Sequence, residues 1–283
     1  MTLFALTVSL CALDILTLAR GPATTPPKAQ KAVPKTVLLL GAARDYQHDS
    51  ISDAMVALSA LGRRTGAWDA YLRTDFTWIT KGDPGRNGKN LSAFDAIVLV
   101  STTGAWNLSD EQRRAFLSFV RDDGKGIVGV HAALDANYDW PEYGEMLGGW
   151  FDGHPWNTFD APILLEDPRF PAVRHLRRTF SKHDEIYQAK AWSREKVNVL
   201  LRLDDAKLPP ANNESVHRAD RDFAVAWSKM YGRGRVFYST LGHTKESWVD
   251  PDVTTMYGEA IRWVLGMSDG STTPHERLPP GRH

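Results

Sequence analysis

The first strongly apolar run after the opening thirty-odd residues is Thr36-Val-Leu-Leu-Leu-Gly41, with no alternation of polar and apolar positions. That pattern predicts a strand buried on both faces. Residues 50–61 then place Ile51, Met55, Leu58 and Leu61 at helical spacing, with Ser50 or Ser52 as cap. Residues 67–73 and 94–100 are the second and third predicted strands, and Ser109-Asp-Glu-Gln112 opens a helix with Ser109 as N-cap. Residues 127–131 complete a β-α-β-α-β alternation, which predicts a parallel sheet with helices on both faces. The second half changes character. Short strand-like segments at 159–165, 180–188, 197–203, 223–228 and 234–241 lie close together, and Gly232-Arg-Gly-Arg235 reads as a hairpin turn. A final helix is predicted over 251–264 with Asp250 as cap. The expected architecture is one α/β domain over 35–269, whose mostly parallel sheet continues into an antiparallel extension.

The ends of the chain read differently. Residues 3–19 are apolar apart from Thr7, Ser9, Asp14 and Thr17, and lead into Arg20-Gly-Pro-Ala23. This resembles a secretory h-region, although no Lys or Arg precedes it and Asp14 interrupts it. Leu10 before Cys11 departs from a lipobox, which wants a small residue there. Residues 21–34, rich in Pro, Ala, Thr and Lys, form a linker. The expectation for 1–34 is a signal-like leader and linker on a periplasmic or secreted protein, with a cytoplasmic protein as the alternative. No later segment is apolar enough to cross a bilayer. Residues 270–283 are polar and Pro-rich, a fringe or tail.

Composition narrows the chemistry. The 34 basic and 34 acidic residues cancel, which argues against nucleic acid or an anionic membrane as partner. The single cysteine, Cys11, lies in the leader, so the domain has no disulfide and no thiol nucleophile. Ten tryptophans and eight tyrosines supply rings that could face the apolar sides of sugars, although most must be core. Neither a phosphate-binding Gly-rich loop nor a dinucleotide fingerprint follows a predicted strand.

Histidine is the distinctive residue. Gly129-Val-His131-Ala-Ala133 follows the central strand as a nucleophile-elbow turn would, with an imidazole where Ser or Cys is expected. The elbow should hold that ring exposed above the sheet. His48, His154 and His243 also sit in loops at strand ends or in Gly/Pro-framed turns, and such loops often carry function. Each alone fits an ordinary hydrogen-bonded loop histidine. As a group they could converge above one sheet edge. In Lys182-His-Asp-Glu185-Ile-Tyr187 strand alternation sends Asp184 and Glu185 to opposite faces, and such acidic residues imply an edge strand or a task. Asp135, Asp139 and Glu142 follow His131, and helix capping before Trp140-Pro141 accounts for Asp139. Two histidines and a carboxylate suit a divalent ion such as Zn or Mn, with His131, His154, Glu185 and His243 as the donors. Without H-x-x-x-H spacing, such a site would have to be assembled from distant loops. A His–Glu pair without metal suits proton abstraction beside a carbonyl.

Six stretches, His48-Asp-Ser-Ile51, Val100-Ser-Thr-Thr-Gly104, Gly129-Val-His-Ala-Ala133, Tyr138-Asp-Trp-Pro-Glu-Tyr143, Phe151-Asp-Gly-His-Pro155 and Asp184-Glu-Ile-Tyr187, occur together and in order. With Gly234-Arg-Val-Phe-Tyr-Ser-Thr-Leu-Gly-His243 they resemble the ThuA-like, or trehalose-utilisation, family. The resemblance implies a class I glutamine-amidotransferase-like, flavodoxin-type fold whose elbow Cys is replaced by His131. Glutamine hydrolysis should then be absent. It also implies carbohydrate catabolism, notably of oxidised (3-keto) disaccharides, with a small carbohydrate as partner and room for a homo-oligomer. On this basis His131, Glu185 and His243 are the candidate catalytic groups. His48, Thr103, Tyr138, Asp139 and Trp140 are candidate substrate contacts, with Trp140 as stacking platform. A non-catalytic sugar-binding protein is the alternative.

Overall fold

The computed structural model describes residues 33–86, 88–211 and 213–278; the leader with Cys11 and the end of the expected tail lie outside them. The first half alternates as its apolar pattern predicts. β1 (Lys35–Leu40), α1 (Ile51–Thr65), β2 (Trp68–Arg73), β3 (Ala96–Val100), α2 (Asp110–Arg121) and β4 (Gly126–Val130) follow in order. A short helix α3 (Pro141–Leu147) precedes β5 (Trp150–Phe151), β6 (Thr158–Leu165), β7 (Thr179–Glu185) and β8 (Ala189–Lys190). β9 (Asn198–Leu203), β10 (Ala224–Tyr231), β11 (Gly234–Ser239) and α4 (Pro251–Val264) complete the domain. α2 carries the full reciprocal cap, in which Ser109 Oγ accepts from Gln112 N and Gln112 Oε1 accepts from Ser109 N. Ser50 is the N-cap residue of α1, but its side chain makes no capping bond; its hydroxyl donates to the Gly242 carbonyl (2.9 Å), tying the start of α1 to the loop after β11.

Nine strands form one sheet in the order β2-β1-β3-β4-β11-β10-β9-β6-β7. β2, β1, β3, β4 and β11 are parallel, and the remaining neighbours are antiparallel. Four reversals from β11 to β7 leave β7 running in the direction of β11, so both end at the same edge of the sheet. Beyond β7 the chain returns to β11, where Tyr187 N donates to Thr240 Oγ1 (2.9 Å). The carboxyl ends of β1, β4, β7 and β11 therefore share one region, the place where open α/β sheets gather ligands.

Both faces of the parallel half are dry. Val37, Leu39, Val98 and Val128 face α1 and α4 with Leu58, Met256 and Ile261, whereas Leu38, Leu40, Ile97 and Leu99 face Phe116, Tyr143 and Leu147. The chain beyond the expected boundary at 269 stays attached: Asn198 Nδ2 and Ser228 Oγ both donate to the Ser271 carbonyl at 2.9 Å. Among the described residues, no helix is long and apolar enough to cross a membrane.

One close seam is where β4 begins against the end of α4. A Cβ on Gly126 would sit 2.5 Å from Val264 Cβ and 2.7 Å from its carbonyl oxygen, which no rotamer change relieves. Gly126→Ala should cost about 1–3 kcal/mol of overpacking. Thermal unfolding should record a midpoint lower by several degrees, and an unchanged midpoint would show that the seam has slack.

Candidate active site

β4 ends in a sharp turn. His131 has φ +44°, a left-handed conformation that an L residue adopts only when its surroundings hold it there, and it opens a one-turn 3-10 helix (His131–Leu134). The elbow is therefore real, but its side chain is not exposed: His131 is fully buried beneath the cavity. Two hydrogen bonds fix it. Tyr238 Oη donates to the His131 carbonyl (2.7 Å), and His131 Nδ1 lies 2.6 Å from the Thr240 carbonyl. A carbonyl only accepts, so Nδ1 carries the hydrogen and Nε2 points onward.

Nε2 of His131 meets two groups. Nδ1 of His243 is 3.1 Å away and Oε2 of Glu185 is 3.5 Å away, while His243 Nδ1 and Glu185 Oε2 are 3.3 Å apart. The rings of His131 and His243 lie edge-on to His48, with centroids at 4.8 and 5.1 Å. His48 is buried and its Nδ1 has no hydrogen-bond partner among the described residues. One donor atom from each of His48, His131, Glu185 and His243 lies within 4.8 Å of the others. The four come from the loops after β1 and β4, the end of β7 and the loop after β11.

Asp184, on the opposite face of β7 as alternation requires, sets the position of His243. Its buried carboxylate accepts from Gly242 N (2.8 Å), His243 N (3.0 Å) and Ser247 Oγ (2.7 Å). β7 is also the edge strand of the sheet, so the edge and the task both explain its acidic residues.

His48, Glu185 and His243 line a cavity of about 410 Å³, with His131 beneath them, and its other walls include Tyr46, Asp135, Phe151, His154 and Tyr187. His154 stands partly exposed beside the donor set, with Nδ1 3.0 Å from Asn157 Oδ1 and 3.6 Å from Glu185 Oε1. Tyr138 Oη donates to Asp135 Oδ1 (2.6 Å), which brings the tyrosine to the rim. Three expected substrate contacts lie elsewhere. Trp140 is buried against Phe116 and Tyr143, so it cannot serve as a stacking platform. Asp139 pairs with Arg113 (2.8 Å) at the surface and makes no cap, since Trp140 is the N-cap residue of α3. Thr103 is buried, and its Oγ1 donates to the Tyr46 carbonyl (3.0 Å), steadying the loop that carries His48. Asp135, four positions after His131 and within reach of the elbow turn, also lines the cavity.

The electrostatics follow from this packing. Burial, then the neighbouring His131 and His243, lowers His48 to about 3, so it is a neutral ligand or acceptor at physiological pH. Burial alone would raise the Glu185 carboxyl, but hydrogen bonds and charge from His131 and His243 outweigh it and hold it far below the usual range. The hydrogen bond to Glu185 raises His243 despite burial. Burial also raises Asp135 against the opposing hydrogen bond from Tyr138.

Comparison with known proteins agrees with the fold. The family profile described as ThuA, trehalose utilisation, matches residues 36–264. The chain belongs to this family. A ThuA-like protein from Bacteroides uniformis has a similar structure, with 22% identity and a TM-score of 0.64 over 90% of this chain and 99% of its own. One from Parabacteroides merdae shares 17% identity and a TM-score of 0.63 over 87% of this chain and 94% of its own. A cytoplasmic protein from Salmonella typhimurium is more distant, at 13% identity and a TM-score of 0.52, covering 81% and 98%. Among curated proteins, none matches. Membership of the ThuA family associates the chain with carbohydrate metabolism.

The coupled charges predict how stability varies with pH in chelator-treated protein. Glu185, depressed, stabilises above its ordinary 4.5 and loses that contribution as pH falls through its lower folded value. His243, raised, stabilises below its ordinary 6.5 and loses that contribution as pH rises through its higher folded value. Denaturant titration of wild type and Glu185→Gln should therefore differ most between pH 4.5 and 6.5, and the gap should shrink in alkali. A gap independent of pH would contradict the pairing.

Proposed function

We propose that this ThuA-family domain is an enzyme of carbohydrate catabolism acting on an oxidised (3-keto) disaccharide or glycoside. The observation that carries the reading is the convergence of His131, Glu185 and His243 within 3.5 Å at the floor of the cavity. A volume of about 410 Å³ lies within the range of small-molecule sites. Tyr46, largely exposed, and Phe151 offer ring faces to a sugar, taking the part expected of Trp140. Asp135 with Tyr138, and His154, offer partners for hydroxyls.

A keto group acidifies the neighbouring C–H, so a positioned base and a group that stabilises the oxyanion suffice for elimination or isomerisation. Glu185 is held too firmly ionised to be a strong base; it is the counter-charge that keeps His243 protonated and aimed. His243, partly exposed and raised by its hydrogen bond to Glu185, delivers a proton to the carbonyl or departing oxygen. Nε2 of His131, buried beneath the cavity, accepts the hydrogen of His243 Nδ1 and so holds that ring in place. With a divalent ion on the same donors their lone pairs would be engaged, and polarisation of the carbonyl by the ion would take the place of the proton from His243. The leader-like stretch supports export to the periplasm or beyond.

Steady-state turnover of a 3-keto-disaccharide panel tests the assignment. His131→Ala and Glu185→Gln should each fall by roughly 100-fold to 10,000-fold while circular dichroism stays that of wild type. Full activity in both would overturn it. Binding of unmodified trehalose with no turnover of any keto-sugar would favour a sugar-binding protein instead.

A further inference from the structure

The polar atoms at and just beneath the cavity floor have the dimensions of a coordination shell. His131 Nε2, His243 Nδ1 and Glu185 Oε2 form a triangle with edges of 3.1, 3.3 and 3.5 Å. Ligands placed about 2.1 Å from a tetrahedral ion stand about 3.4 Å apart. The triangle therefore matches one face of such a shell without further movement. A donor nitrogen of His48 lies within 4.8 Å of the other three donor atoms, close enough to complete the set after a small rotation.

We infer that His48, His131, Glu185 and His243 bind one divalent transition-metal ion, zinc-like in its preference, with a side open to the cavity. Hydrogen bookkeeping favours this over a purely hydrogen-bonded cluster. Nδ1 of His131 gives its hydrogen to the Thr240 carbonyl, so Nε2 offers a lone pair to Glu185 and His243. The one hydrogen on His243 Nδ1 can serve His131 Nε2 or Glu185 Oε2, not both fully. His48 adds a third imidazole, more than nine-tenths buried, whose Nδ1 has no hydrogen-bond partner among the described residues. An orphaned buried nitrogen is costly. A cation among the four answers these lone pairs together.

The surroundings are those of a ligand shell. The bond from His131 Nδ1 to a backbone carbonyl is the usual way a ligating imidazole is oriented and made more basic. Asp184 fixes the backbone of His243 in the same sense. Three imidazoles and one carboxylate select zinc, iron or manganese over calcium or magnesium, which prefer oxygen. His154 is excluded from the inner set: it is partly exposed and its Nδ1 is engaged by Asn157. The proposal stands on donor geometry and does not depend on the keto-sugar reading.

The test uses the full chain, stripped with chelator and titrated calorimetrically with zinc chloride, and with magnesium chloride as control. Zinc should bind at one equivalent per chain and magnesium should not compete. His243→Ala and Glu185→Gln should each weaken zinc binding by at least roughly 100-fold, and His154→Ala by no more than about threefold. The visible absorption of the cobalt-substituted protein should be present in wild type and absent in both ligand variants. Circular dichroism checks that each variant is folded, and Glu185→Gln, nearest to isosteric, serves if His243→Ala is not. No stoichiometric binding, or equal affinity in wild type and both ligand variants, would overturn the proposal. Loss on His154→Ala with none on His48→Ala would overturn the assignment of His48.

Discussion

Asp184 joins the two halves of this domain. Its buried carboxylate accepts from the backbone of Gly242 and His243 and from the Ser247 hydroxyl, tying the edge strand β7 to the loop after β11. Hydrogen bonds to an ionised acceptor are among the stronger ones, and a buried donor left without its partner costs about 1–3 kcal/mol. The place of His243 in the cluster depends on this tie. Glu185 is the next residue along β7 and His243 is the residue held, so the contact between them is set by Asp184 rather than by their own attraction. Ser50, bonded to the Gly242 carbonyl, brings in the loop that bears His48.

His131 illustrates how the fold supports a strained residue. Its left-handed backbone costs about 1–3 kcal/mol and is held by Tyr238 at the carbonyl and Thr240 at the ring. Both partners come from β11 and the residue after it, the strand that separates the parallel sheet from its antiparallel extension. The extension thus contributes Glu185 and completes the setting of the elbow. An elbow that would present a nucleophile to solvent instead presents a buried nitrogen to a polar cluster.

The parallel half was legible because unbroken apolar runs such as 36–40 and 96–100 have few alternatives, and Ser109 with Gln112 marks a helix start unambiguously. The site was legible where chemistry and local geometry coincide: His131 at a Gly-framed turn, His243 after the last strand, Glu185 on an acidic edge strand. It was not legible where burial is decided by packing from far along the chain. Trp140 and Asp139 sit side by side in a motif-like stretch, yet α2 claims both, Phe116 for the ring and Arg113 for the carboxylate. His48 and His154 are both loop histidines in sequence. Only the return of the chain after β11 buries the first and leaves the second at the rim.

The central claim is that these four side chains form one functional centre organised around a cation. Anomalous diffraction from crystals grown with zinc, measured on both sides of the zinc absorption edge, addresses it most directly. The account predicts one strong peak about 2.0–2.2 Å from His131 Nε2, His243 Nδ1 and a Glu185 oxygen. The absence of a peak there, or zinc bound only at surface histidines, would contradict it.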